Sequence, residues 1–593
     1  MRHTMSRNPE QKSCFTTASR LVATLVSLAV GALTAVTPAH AAGVDTVMTG
    51  GRIYTPTGWH QAVAIAGDRI VATGSDAAML AKRTAGTVTI DLRGATVLPG
   101  LYDMHVHPLM AGNGAEGRCR IEQGANAKQL LEVVAACVRA EKPGRWVTGA
   151  QWQAVSMGAT PITRQTLDAV SPDNPVMLFD ISGHSLWVNT KALQAAGITR
   201  DTPDPEGGII ERTADREPTG ILRETARQLV MEHVPPPTPE ENIAALRSGL
   251  GRMLAFGITG LVDAMVMRDE LIAYAALADQ GGLHQHVQAC IAYTVTGKLV
   301  PDADELITNW RKYARDNFRP DCVKVFADGV PTESHTAAML EPYADGQANA
   351  PAKGMLLIDP TVINPAVARW DRAGLTVLFH AAGDGAVRAS LDAIEYARKA
   401  NGANGPIHQV GHCTFIARED LPRARALNTA FEFSPYLWSP SPINDDIIRA
   451  IGPQRIERVW PLREGLESGA LVVAGSDWAV VPEPDPWLAI ETSVTRRTPG
   501  GDGSTFGPHE AISVRQAIDV FTINAAKRLG VADRFGTLEA GKQADLILID
   551  RNPLEIPVTE IHNIKVQAVY IGGRRVYERA TQASTGDAAT TRR

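Results

Sequence analysis

The chain has 593 residues, 21% of them charged, and a formal net charge of -6 at pH 7. That length is too great for one small core and predicts a large catalytic domain with at least one accessory domain. Acidic and basic residues are interspersed without a long basic stripe, which argues against a nucleic-acid surface and for a soluble protein.

The first forty residues read differently from the rest. Arg2, Arg7, Lys12 and Arg20 precede the apolar stretch LVATLVSLAVGALTAV, and TPAHA then offers Ala39 and Ala41 as a small-x-small cleavage site. This predicts a Sec-type signal peptide over residues 1–41 and a periplasmic or secreted mature protein with no stable membrane insertion. A membrane anchor is the competing reading, for which the run is short. Past that point the cysteines are Cys119, Cys137, Cys290, Cys322 and Cys413, with no CxxC pair to suggest a zinc knuckle or a redox dithiol. In an oxidising compartment Cys119 and Cys137 can pair, and reduced thiols fit the sequence equally well.

From residue 44 to 98, short alternating segments such as AVAIAGDRIVATG are separated by turn residues, a strand pattern. GTLEAGKQADLILID and VQAVYIGGRRVYE repeat that texture over 536–578, which predicts one small β-sandwich built from both chain ends. Between them, over 99–535, eight apolar runs alternate with helical patterns: ATVLPGLYDMHVH, GITGLVDA, HVQACIAY, DCVKVFADG, LTVLFHA, IHQVGHC, NTAFEFSP and LVVAGSD. Eight strands of this kind close a (β/α)8 TIM-type barrel. Residues from about 108 to 250 are too many for a simple crossover and predict an inserted α/β subdomain. The insertion ends at a helix start marked by Thr238, Pro239 and Glu241, an N-cap, a first-turn proline and a capping-box glutamate. Residues 579–593 have the composition of a disordered tail.

His105 and His107 sit one residue apart at the end of the first run, where a strand would project both from one face. An HxH alone says little. His284 and His286 end no apolar run and read as a solvated strand start. What raises the first pair is Lys324 in the fourth run, His380 ending the fifth, His412 ending the sixth and Asp477 ending the eighth. The C-terminal strand ends of such a barrel converge, so these residues predict a metal centre.

PGLYDMHVHP resembles the PGxxDxHxH signature of the amidohydrolase superfamily. KVFADG, LFHAAGDGA, VGHC and GSDW resemble successive blocks of amidohydrolase family 3, the YtcJ-like branch that includes N-substituted formamide deformylases. The segments PITRQTLDAVSPDNPVMLFDISGHSLWVNTKALQAAGI and DREPTGILRETA extend that likeness over nearly the whole mature chain. The resemblance implies two divalent metal ions, with zinc expected. His105 and His107 would bind the more buried ion, His380 and His412 the second. Lys324 would carry a carbamate formed with carbon dioxide and bridge both, and Asp477 would bind the first ion and act as the base. An ammonium beside divalent cations would be repelled, which supports the modified lysine; a structural ion pair, or an unmodified lysine beside a single metal, is the alternative.

Such a centre acidifies bound water towards a pKa of roughly 7 and directs hydroxide at a carbonyl carbon. Asp477 would take the water proton and deliver it to the leaving nitrogen. Hydrolysis of a C–N bond in an amide, N-substituted formamide or cyclic amide follows. An esterase or lactonase, or a non-catalytic regulator keeping the fold, are the other readings. The implied partner is a small-molecule substrate, and a homodimer is one option for assembly.

Two departures bear on the substrate pocket. Many relatives carry a glutamate and a basic residue just before the sixth-strand histidine, where this chain has Gln409, Val410 and Gly411, and an arginine where it has His335. His184 in the SGH block is a candidate for substrate binding, and Trp438 and Trp478 are candidates for walling an apolar pocket. Trp152 is a weaker one.

Overall fold

Because a parallel barrel sheet is covered on both faces, its strands read as unbroken apolar runs rather than alternating ones. In the computed structural model, which describes residues 43–580 apart from 117, 122–124, 181–184, 206–207, 296–297, 333–334, 347–351, 439–441, 502 and 504, the eight runs form one parallel sheet. Its strands are β1 (Leu101–Val106), β2 (Ile258–Val266), β3 (His286–Ala292), β4 (Phe318–Phe326), β5 (Thr376–Ala381), β6 (His408–His412), β7 (Thr429–Phe433) and β8 (Leu471–Ala474), paired in chain order. The closing seam runs through the chain after β8: the Asp477 N–H donates to the His105 carbonyl at 2.7 Å, and the His107 N–H to the Trp478 carbonyl at 2.6 Å.

Tyr102, Val262, Cys290, Cys322, Leu378, Ala430 and Val473 form one buried cluster drawn from seven strands, and side chains from so many strands of a closed sheet meet only inside it. Lys324, His380 and Glu432 each lie two residues beyond a member of that layer. The period of two therefore stacks them one level nearer the C-terminal strand ends. Cys290 and Cys322, which face each other across β3 and β4, are joined as a disulfide within this layer.

Gly475 lets the seam close. A Cβ there would lie 2.4 Å from the Cβ and 2.5 Å from the backbone nitrogen of His105. Gly475→Ala is expected to destabilise the protein by about 1–3 kcal/mol, the usual range for overpacking. It should also weaken metal binding, because β1 must move away from Asp477; thermal melting and metal titration read the two effects.

The helix Pro239–Leu254 starts as expected, with Thr238 and Glu241 exchanging reciprocal hydrogen bonds. Between β1 and this helix lies a six-stranded mixed sheet, whose strand Arg118–Arg120 is tied to the helix Ala127–Ala140 by the Cys119–Cys137 disulfide. Both chain ends build the remaining layers. A four-stranded sheet over residues 44–91 faces a six-stranded sheet in which Thr96–Pro99 pairs with Leu546–Ile549, and Met48, Ile53, Val63, Leu546 and Tyr570 share the core between them. Residues 1–41, read as a signal peptide, lie outside the described residues, as do residues 581–593 of the tail.

Candidate metal centre

The six residues of the expected ligand set all stand at the barrel's C-terminal end. Four imidazoles follow one another in an arc: ring centroids are 5.6 Å apart for His107 and His105, 4.5 Å for His105 and His412, and 4.4 Å for His412 and His380. Asp477 Oδ1 lies 3.3 Å from His107 Nε2 and 3.8 Å from His105 Nε2. Lys324 Nζ is 3.2 Å from the same His105 nitrogen. Ligand atoms held about 2.0–2.2 Å from one ion at tetrahedral angles stand roughly 3–4 Å from each other, so the His105, His107 and Asp477 atoms have the spacing of a shared ion.

Each of these side chains is aimed by the fold around it. His412 (φ 67°) and Asp477 (φ 59°) adopt the left-handed region at their strand ends, a conformation disfavoured for non-glycine residues by about 1–3 kcal/mol and concentrated at functional sites. His380 Nδ1 meets Asp328 Oδ1 at 3.1 Å, and the Asp328 carboxylate also accepts the Ala338, Ala382 and Gly383 N–H groups. His105 Nδ1 meets Glu432 Oε2 at 2.8 Å. His107 Nδ1 lies 3.9 Å from Asp263, whose carboxylate accepts the Tyr274 hydroxyl. Asp103 receives the Ser476 hydroxyl at 2.5 Å and the Ser476 and His105 N–H groups, tying β1 to the turn after β8.

Burial governs the electrostatics. It holds His105 and His412 well below the ordinary imidazole value, helped by nearby Lys324 and His380, so both rings are neutral and keep a lone pair for a metal. It pushes Asp103 up to about 7 and Glu432 up to about 8, the latter opposed by the His412 N–H. It pulls Lys324 down to about 8 against the carboxylates of Asp477, Glu432 and Asp263. At Asp477 burial would raise the value, but the His107 hydrogen bond and the neighbouring His105 and Lys324 outweigh it and keep the group below the usual carboxylate range. Neutral imidazoles and water-deprived carboxylates around one point are a donor set that a divalent cation would satisfy.

The sequence reading passed over Asp103, Asp263, Asp328 and Glu432. Each is an acidic residue within or directly after an apolar run, a placement rare enough to have marked them. The tryptophan candidates fare differently. Trp478 is buried in the large core and contributes its carbonyl to the seam. Trp438 ends a short turn, Pro435–Trp438, directly after β7, and His184 lies outside the described residues. Trp152 is buried in the inserted subdomain, beside a cavity of about 410 Å³ that Asp180 and Arg223 also line. His286 is partly exposed at the start of β3 and bonds Asp545 at 2.8 Å, away from the centre. His335 is buried, stacked on Tyr343 and paired with Asp345.

A family profile described as "Amidohydrolase family" matches residues 88–577. Among curated proteins the chain is similar to "Protein LONG AFTER FAR-RED 3" of Arabidopsis thaliana, 28% identical over 92% of this chain and 94% of that one. It is equally similar to "N-substituted formamide deformylase" of Arthrobacter pascens, 28% identical over 88% of this chain and 95% of that one. Among solved structures it resembles an "uncharacterized metal-dependent hydrolase" from Pyrococcus furiosus, with TM-score 0.70 and 25% identity, over 86% of this chain and 100% of that one.

Proposed function

The chain belongs to the amidohydrolase family, and from that premise we propose that it is a metal-dependent hydrolase that cleaves a C–N bond in an amide, an N-substituted formamide or a cyclic amide. The observation that carries this reading is the spacing of His105 Nε2, His107 Nε2 and Asp477 Oδ1, which suits one ion at the mouth of the barrel. His380, His412 and a carbamate on Lys324 would hold a second. Bound zinc would make water a competent nucleophile at neutral pH and polarise a carbonyl oxygen. The protein's own part is to hold His105 and His412 neutral, to keep Asp477 ionised and to exclude bulk water. Asp477, at hydrogen-bonding distance from His107, would take a proton from the nucleophilic water and return it to the departing nitrogen.

An extracytoplasmic site of action accords with the basic and apolar N-terminal segment and with two disulfides, which persist in oxidising compartments. Metal analysis joined to a substrate panel tests the function. About two equivalents of divalent metal and turnover of N-substituted formamides, linear amides or cyclic amides are expected. Turnover of esters or lactones alone would move the reading to an esterase. Metal-loaded protein inert to every class would favour a regulatory role.

A further inference from the structure

We infer that Glu432 is a positioning residue of the metal centre: through His105 Nδ1 it fixes the tautomer and the angle at which His105 presents Nε2 to the ion. The inference rests on the metal-centre reading above and adds to it a residue that lies on β7, the one barrel strand among the last five that supplies no expected ligand. Glu432 is fully buried. Its Oε2 lies 2.8 Å from His105 Nδ1 and 3.2 Å from the His412 N–H, while Oε1 accepts the Ser434 hydroxyl at 3.2 Å. One carboxylate oxygen thus meets β1 and β6 at the first and last histidines of the expected ligand set.

Glu432 Oε2 also lies close enough to His105 and His412 to be a ligand itself. The direction of the His105 ring decides between the two roles. Its Nδ1 faces Glu432, and its Nε2 faces Lys324 and Asp477. A planar imidazole cannot turn both nitrogens to one ion, so if Nε2 binds metal, Nδ1 carries the proton and donates a hydrogen bond to the carboxylate. A hydrogen bond of that kind fixes ring orientation and raises the basicity of the ligating nitrogen. The same molecule repeats the arrangement at His380, whose Nδ1 meets Asp328.

Gly411 is the other half of the device. A Cβ at this position would lie 2.8 Å from Glu432 Oε2, 3.0 Å from the Phe379 carbonyl oxygen of β5 and 3.4 Å from His105 Nδ1, so any side chain there would press on the carboxylate and on β5. Its backbone is outside the left-handed region, and clearance rather than conformation is what glycine supplies.

Competition with a chromogenic chelator during zinc titration of the full-length apoprotein tests this, with cobalt absorption spectra as a second readout. Glu432→Gln should weaken the tighter site about 10- to 100-fold and change the cobalt spectrum, with apoprotein circular dichroism unchanged. Ser434→Ala, which removes only the bond to Oε1, should stay within about twofold of wild type on the same scale. Gly411→Ala leaves the carboxylate present but displaces it, and should also lose affinity. It decides the matter if Glu432→Gln does not fold. Wild-type affinity and spectrum in Glu432→Gln, or in folded Gly411→Ala should Glu432→Gln not fold, would overturn the role of Glu432. An equal loss in Ser434→Ala would do so too, by reducing Glu432 to packing. Wild-type protein that bound neither zinc nor cobalt would instead overturn the metal centre.

Discussion

Asp477→Asn is expected to lower kcat by about 10³- to 10⁴-fold on any substrate that the panel shows the protein to turn over, the upper part of the range for losing a general acid–base group. Asparagine has the same size and tolerates the left-handed backbone that Asp477 adopts at φ 59°, so the seam between β8 and β1 should still close. What is lost is a negative oxygen 3.3 Å from His107 and 3.8 Å from His105, and with it the group proposed to shuttle the proton. The wild-type carboxylate is held below its usual range, so it stays ionised throughout neutral and mildly acidic pH. An acid limb of the rate profile that reports Asp477 should therefore fall below the ordinary carboxylate pKa of about 3.9, and no such limb should appear near pH 5 to 6 from this residue. Steady-state kinetics with circular dichroism checks the fall. Activity within tenfold of wild type would remove Asp477 from proton transfer.

How far the centre was legible depended on whether a residue's role is local to its own strand. His105, His380, His412 and Asp477 each end an apolar run, and the barrel brings strand ends together whatever the details of packing. Resemblance to known blocks then assigned roles that no spacing could. The supporting carboxylates were harder, because a hydrogen bond from β7 to β1 joins positions 327 residues apart and follows only from closure of the sheet. The departure at Gly411 is a case in point. In sequence it is only a glycine before His412; in the fold the Glu432 carboxylate from the neighbouring strand packs against it.

The Cys290–Cys322 pairing was hidden for the same reason. It needs the register of β3 against β4, which places the two residues opposite one another. Cys119 and Cys137, close in sequence, were the easier pair to see. Trp478 shows the converse limit: position after a strand is compatible with a pocket wall and with a core, and burial assigns it to the core.

Lys324→Ala is expected to leave less than one equivalent of metal bound and to lower kcat by about 10³-fold, equivalent to the several kcal/mol that a metal contributes by stabilising charge in the transition state. The lysine is 1% exposed, points at His105 and has no carboxylate within hydrogen-bonding distance among the described residues, so an ammonium there would be poorly paired. Burial pulls its pKa down to about 8 from 10.5. At pH 7.5 roughly a quarter of the side chains are then neutral, against about one in a thousand at the unshifted value. Only the neutral amine can attack carbon dioxide, forming the N–C bond of a carbamate and releasing one proton. Zinc loading of the apoprotein should accordingly be slow in carbon dioxide-free buffer, accelerate on adding bicarbonate, and quicken as pH rises towards and past 8. Lys324→Ala should show neither bicarbonate dependence nor the additional carbonyl resonance that ¹³C-bicarbonate gives wild-type protein. A Lys324→Ala protein with full activity and metal content would remove the bridge and leave the centre to His105, His107 and Asp477.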